Sequence, residues 1–112
     1  LAGDAAVGVV SVQGFNPADT TPVVKKFVDA YKAKWGKEPS DPAQCYYDGI
    51  YVLKKAIEIA GSTDSAKVAE ALKKVEYNGV QGPMKLDALH NYTDVCYISE
   101  FDGKNWKIIA KL

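Results

Sequence analysis

Tyr46, Tyr47 and Asp48 stand side by side, with Gly49 behind them, where a segment patterned as a helix begins. A helix start leaves backbone N–H groups without partners and carries partial positive charge, so phenols and a carboxylate there can face a small ligand rich in acceptors. Asp48 then has two readings: it complements the helix dipole, or it contacts a ligand or a hinge. Adjacent helical positions diverge by about 100°, so Tyr46 and Tyr47 cannot both face one core. One packs and the other looks outward. Phe15 lies just after the end of an apolar run that reads as a strand, and α/β sheets hold ligands beyond the carboxyl ends of their strands. It is a candidate cleft residue, with plain packing as the alternative.

Other chemistry is thin. The sequence has no GxSxG, HExxH, phosphate-binding loop, GxGxxG or CxxC pattern. His90 is the only histidine, in the loop LDALHNYTD, without a second His or a nearby Cys to build a metal or acid–base site. Neither an enzyme nor a metal or cofactor site is expected. The lysine pairs Lys25–Lys26, Lys54–Lys55 and Lys73–Lys74 occur once per expected helix, beside acidic residues, and read as solvated faces. Cys45 and Cys96 lack metal-ligand spacing. They pair in an oxidising compartment if their Cα atoms come close enough, or remain two buried thiols.

The elements that must position these groups follow from periodicity and punctuation. Val7 to Val12 is a β-branched run consistent with a buried strand, broken by the turn residues 13–17. Thr21 and Pro22 read as an N-cap with proline in the first turn. Val24, Phe27, Val28, Tyr31 and Trp35 then share one helical face, and Gly36 is the stop. A second helix starts with Asp41 as cap and Pro42 next, runs to Ala60, and is expected to bury Tyr46, Ile50, Leu53 and Ile57. Ser62 or Thr63 caps a third, whose apolar stripe is Val68, Ala71, Leu72 and Val75. Asn78–Gly79 signals a turn, Gly82 to Leu86 an extended piece, and Asp87 to Asp94 a polar loop. Val95 to Phe101 and Trp106 to Ile109 read as strands around the hairpin dipeptide Asp102–Gly103.

The 112 residues fit one compact domain, which would bury roughly two-thirds of its unfolded surface. Apolar residues make up 47% and charged residues 25%, as in ordinary globular proteins. Net charge is zero, so there is no basic footprint for nucleic acid or an anionic membrane. No apolar run approaches the ~20 residues that span a bilayer. Beginning at Leu1 without Met, the chain reads as a processed product or a piece of a longer one.

With these residues in view, the sequence resembles the last third of periplasmic leucine/isoleucine/valine-binding proteins, the type I solute-binding proteins of ABC transporters. LAGDAAVGVVSVQGFNP resembles the family's strand-and-loop entry. VVKKFVDAYKAKWGKEP, YYDGIYVLKKAIE, AKVAEALKKV, GVQGPMKLD and CYISEFDGKNWKI follow in the family's order. Essentially all of the chain takes part, and FVDAYKAKWGKEPSDPAQCYYDG before the Gly-Pro segment is the most specific portion. ALHNYTD departs from the family, which usually has a small polar turn with glycine there.

The resemblance implies an α/β fold, the C-terminal fragment of a two-lobed binding protein, with about three helices and several short strands. By this analogy residues 1–19 are a second-lobe strand and hinge crossing. Residues 20–89 are first-lobe helices with the Gly-Pro segment, and residues 90–112 return to the second lobe. It implies an amino-acid ligand held in the interlobe cleft, gripped mostly by residues outside this chain, with Gln44, Tyr46 and Tyr47 approaching from the start of the central helix. It also implies ABC permease partners and a periplasmic or otherwise extracytoplasmic location. A sensor on the same scaffold, whose closure drives a receptor or regulator, is the alternative. A third of such a fold leaves strand edges unpaired and helix stripes uncovered, so the isolated piece is expected to form a homodimer by strand pairing or swapping.

Overall fold

The structure, a computed structural model, describes residues 3–92 and 95–112. Thr93 and Asp94, which close the expected polar loop, lie outside the described residues, as do Leu1 and Ala2 at the start of the strand-and-loop entry. The chain is α/β: a short 3-10 turn at Gly3–Ala6 precedes β1 (Val10–Gln13), α1 (Pro22–Trp35), α2 (Asp41–Ala60), α3 (Ser65–Leu72), β2 (Glu76–Gly79), β3 (Gly82–Lys85), β4 (Tyr97–Phe101) and β5 (Trp106–Lys111).

One compact domain was the expectation from length, but contacts divide the chain into two units. The first draws on Leu1–Asp41 and Val95–Leu112, the second on Pro42–Asp94. The resemblance places its lobe crossings at residues 19/20 and 89/90. α1 lies with β1 in the first unit because Phe27, buried on its inner face, meets Phe15 edge-on at 5.9 Å.

In the first unit β1, β4 and β5 form an antiparallel sheet in the order β1-β4-β5, with Val10 opposite Glu100 and Phe101 opposite Trp106. The hairpin around Asp102–Gly103 forms where the dipeptide placed it, with the Asp102 carboxylate accepting from the Lys104 and Asn105 amides. α1 starts after Thr21 with Pro22 in its first turn and stops at Gly36, whose φ of 66° closes the helix through its N–H to the Lys32 carbonyl. Glycine meets that left-handed angle at no steric cost. Val24, Phe27 and Val28 are buried as the spacing predicts, but Trp35 at the end of the same stripe is 58% exposed. The first strand also departs from expectation. It is shorter than Val7–Val12, and Val10 and Val12 are mostly exposed, so it is not the buried strand expected.

The second unit closes on its own core. Val52 and Ala56 of α2 meet Val68 and Ala71 of α3, Val75 behind it, and Met84 of β3, with Ile57, Leu72 and Tyr77 at the margin. Val68 and Ala71 of the predicted α3 stripe are buried, but the helix ends at Leu72, so Val75 packs from beyond it, and the helix's cap is neither Ser62 nor Thr63. Asp64 accepts from the Lys67 amide at 3.1 Å, and Ser62 Oγ accepts from the Asp64 amide. Carboxylate and hydroxyl both suit an N-cap, and only the helix's entry point selects between them. Asn78–Gly79 is strand, not turn: β2 and β3 pair from Glu76–Lys85 to Gly79–Gly82, leaving Val80 and Gln81 as the two-residue connection. Beyond β3, Leu86 bridges Tyr92, and the Asp87 carboxylate gathers the Leu89 and Asn91 amides. His90 sits exposed in that loop at a φ of 65°.

Candidate functional site

The start of α2 carries most of the residues singled out from sequence, and the helix turns them in a different direction from that expected. It begins at Asp41, so Asp48 lies beyond the first turn, where the dipole is strongest. Its buried positions are Gln44, Asp48, Val52 and Ala56, one i, i+4 row. The expected row lies on the other side: Tyr46 is 78% exposed, Ile50 67% and Leu53 43%, with Ile57 alone reaching the core margin.

Burial of Gln44 and Asp48, both 0% exposed, is possible because each is supplied with partners. Gln44 Nε2 donates to Asp48 Oδ2 at 2.6 Å. The amides of Val80 and Gln81, at the tip of the β2–β3 hairpin, donate to Asp48 Oδ1 and Oδ2 at 3.0 Å each. A carboxylate fixed by three donors is tied to the hairpin, a set of partners that neither sequence reading named. Gly79 makes the approach possible. A Cβ there would stand 2.6 Å from Asp48 Cγ and Oδ1 and from Tyr77 Cε1.

Tyr47 neither points wholly outward nor enters the core. Its ring lies 5.0 Å from that of Tyr51, which stacks on Tyr77 of β2 at 5.9 Å with an interplanar angle of 5°. The hydrogen bond with Tyr51, then partial burial and nearby negative charge, push the Tyr47 phenol up to about 12. Tyr46 is the outward member of the pair.

The first unit holds a cavity of ≈ 510 Å³ at the carboxyl end of β1, walled by Phe15, Asn16, Pro39, Asp41, Lys104 and Trp106 among others. Phe15 is 4% exposed, so it packs on Phe27 and also forms part of this wall. Asn16 was not singled out from sequence, yet it organises the loop. Its Nδ2 donates to Ser99 Oγ at 3.0 Å and to the Trp106 carbonyl at 3.2 Å, while its Oδ1 accepts from the Ala18 amide. The available signal was an Asn–Pro pair in the loop after a strand, a turn-forming combination. Nearby, buried Asp19 accepts from Tyr97 Oη and Lys111 Nζ at 2.6 Å each and from the Thr21 amide at 2.7 Å. Burial opposes its ionisation, but Lys111, Tyr97 and Thr21 outweigh that and hold its carboxyl well below the usual range. Burial and the Asp19 charge conversely push the Tyr97 phenol far up.

Cys45 and Cys96 are both thiols. Among the described residues no three His, Cys, Asp or Glu side chains converge as metal ligands do. The structure thus brings Gln44 and Asp48 together, sets Tyr47 in a tyrosine ladder, leaves Tyr46 on the surface, and keeps Phe15 in the other unit.

Comparison with known proteins adds a frame to this geometry. Residues 1–105 match the family model described as periplasmic binding protein. A Leu/Ile/Val-binding protein homolog from Brucella abortus is 34% identical over 88 residues, which is 76% of this chain and 23% of that protein. Among solved structures, a leucine binding protein LivK from Thermotoga maritima superposes with a TM-score of 0.86 at 34% identity, covering 98% of this chain and 32% of its own. A solute binding protein of an ABC transporter from Rhodopseudomonas palustris, solved with 3,4-dihydroxy benzoic acid, gives a TM-score of 0.84 at 30% identity, covering 98% and 32%. The chain therefore spans about a quarter of the curated relatives it matches and about a third of the solved chains.

Proposed function

The chain belongs to the periplasmic binding protein family, and from that premise we propose that it is part of the substrate-binding component of an ABC importer. It captures a branched-chain or similar small amino acid in the cleft of the longer protein and hands it to the permease, without chemistry. The observation carrying this reading is the family match over residues 1–105, joined to a fold matched over 98% of the chain. An extracytoplasmic location follows from the same reading. In this proposal the two contact units belong to different lobes, so α1 goes with the lobe of β1.

For solute contact we propose Tyr46 and Tyr47, which keep 78% and 42% of their surface exposed. Phe15, as a cavity wall, is a further contact. Gln44 and Asp48 support from beneath, because their polar atoms are engaged with each other and with the hairpin. The exposed apolar residues of α2 and β1 are covered in the extended protein, and the 112-residue chain alone associates with a copy of itself. A strictly monomeric, cooperatively folding 112-residue chain in sedimentation would overturn that last point.

Titration calorimetry decides the solute. The protein, extended to the length of its relatives, is titrated with leucine, isoleucine, valine, threonine, alanine and 3,4-dihydroxybenzoate. Saturable heat with an aliphatic amino acid is expected. Saturation by the aromatic acid alone would replace the amino-acid reading, and no heat with any of them would remove it.

A further inference from the structure

Two independent links join the same pair of elements in the second unit. The first is polar: Asp48 on α2 holds the Val80 and Gln81 amides at the tip of the β2–β3 hairpin, at a depth only Gly79 allows. The second is aromatic: Tyr77 on β2 stacks on Tyr51 of α2, whose ring in turn meets Tyr47. Tyr77 is two residues from Gly79, and Tyr47 is adjacent to Asp48. Any shift of the hairpin tip relative to α2 therefore moves the stacking plane that supports Tyr51 and Tyr47. A buried carboxylate suits such a fixing point. Charge-assisted hydrogen bonds are short and strong, and with no exposed surface Asp48 has no water to take over from the hairpin amides.

We infer that Asp48 is a positioning residue: by pinning the hairpin tip to α2 it sets the Tyr47–Tyr51–Tyr77 ladder and so the direction in which Tyr47 is presented to solute. The solute part of this rests on the reading of Tyr47 as a contact; the ladder part does not. Solute recognition gains from side chains whose rotamers are locked by their neighbours, because less freedom is lost on binding.

The test uses the extended protein with its tyrosine rings labelled for NMR, Tyr47 being assigned through Tyr47→Phe, and L-leucine as the calorimetric probe. Asp48→Asn keeps the shape but puts a donor where an amide donates. Tyr77→Leu removes the stack without touching the carboxylate. Both variants are expected to shift the Tyr47 ring resonances and to weaken L-leucine binding about tenfold, the equivalent of one good contact. In a Tyr47→Ala background, Asp48→Asn should cost little further affinity, because the two act along one route. Unmoved Tyr47 resonances in a folded Asp48→Asn protein would overturn the inference, whatever happens to its melting temperature. So would full additivity of the two affinity losses. If Asp48→Asn does not fold, Tyr77→Leu carries the same two readouts. If the parent protein binds none of the panel, the proposed function fails, and the ring resonances still decide whether Asp48 sets the ladder.

Discussion

Replacing Asp19 by asparagine should cost the first unit about 2–3 kcal/mol at neutral pH, and the structure sets the terms of that figure. The carboxylate side chain is 6% exposed and accepts from Lys111, Tyr97 and the Thr21 amide. Asparagine retains the shape but can point an oxygen at only one side. Its amide nitrogen then faces either the Lys111 ammonium or the Thr21 N–H, donor against donor, and on the Lys111 side Tyr97 Oη can accept only by losing the acceptor of its own O–H. A hydrogen bond to a charged group contributes about 1.5–3 kcal/mol. The Lys111 share is smaller, since that side chain is 39% exposed and can turn to water, leaving a surface-like value below about 1 kcal/mol. Tyr97, 1% exposed, has no such escape. Because the folded state holds the Asp19 pKa below its unfolded value of about 3.9, this stability is complete above that pH and is lost as pH falls towards the depressed folded-state value. Hydrogen exchange of the β4 and β5 amides in the extended protein reads the local free energy directly. Parent and Asp19→Asn should differ by a constant amount from pH 5 upward, and the gap should narrow below about pH 4. A gap under about 0.5 kcal/mol at pH 7, the range of an ordinary surface change, would refute the reasoning. So would a gap that stays constant down to pH 3.

Two glycines of the second unit should respond in opposite directions to alanine. Gly79→Ala places a methyl group 2.6 Å from Asp48 and Tyr77 and should lower stability by about 1–3 kcal/mol or more. Gly49→Ala, inside α2 with nothing within 4 Å, should raise it by about 0.5–1 kcal/mol, and thermal melts of the two variants separate these outcomes. Asp64→Ala removes the cap of α3 and should cost about 1 kcal/mol in the same melts, whereas Thr63→Ala should fall within about 0.5 kcal/mol of the parent.

Much of the architecture was legible because its signals are local. Thr21–Pro22 and Gly36 bound α1 correctly, since a proline ring and a left-handed φ act on their own residue whatever lies around them. The β4–β5 turn could be read from Asp102–Gly103 for the same reason. The Asn78–Gly79 signal misled, because strand pairing up to Gly79–Gly82 placed the connection two residues later, at Val80 and Gln81. The site was less legible. Phe15, Tyr46, Tyr47, Asp48 and Gln44 lie where a motif reading would look, but the hairpin amides that hold Asp48 are far away in sequence, and no spacing rule reaches from Asp48 to Val80.

The sequence by itself determined the three helices, the β4–β5 hairpin, the absence of net charge, and the family, each a property of neighbouring residues or of their order. Only tertiary structure decided which side of α2 turns inward. That helix has aliphatic residues on both sides, Val52 and Ala56 on one, Ile50 and Leu53 on the other, so hydrophobic periodicity cannot choose between them. The choice falls to Asp48 and Gln44, polar groups that enter the interior because two backbone amides of a distant hairpin are waiting there to be satisfied.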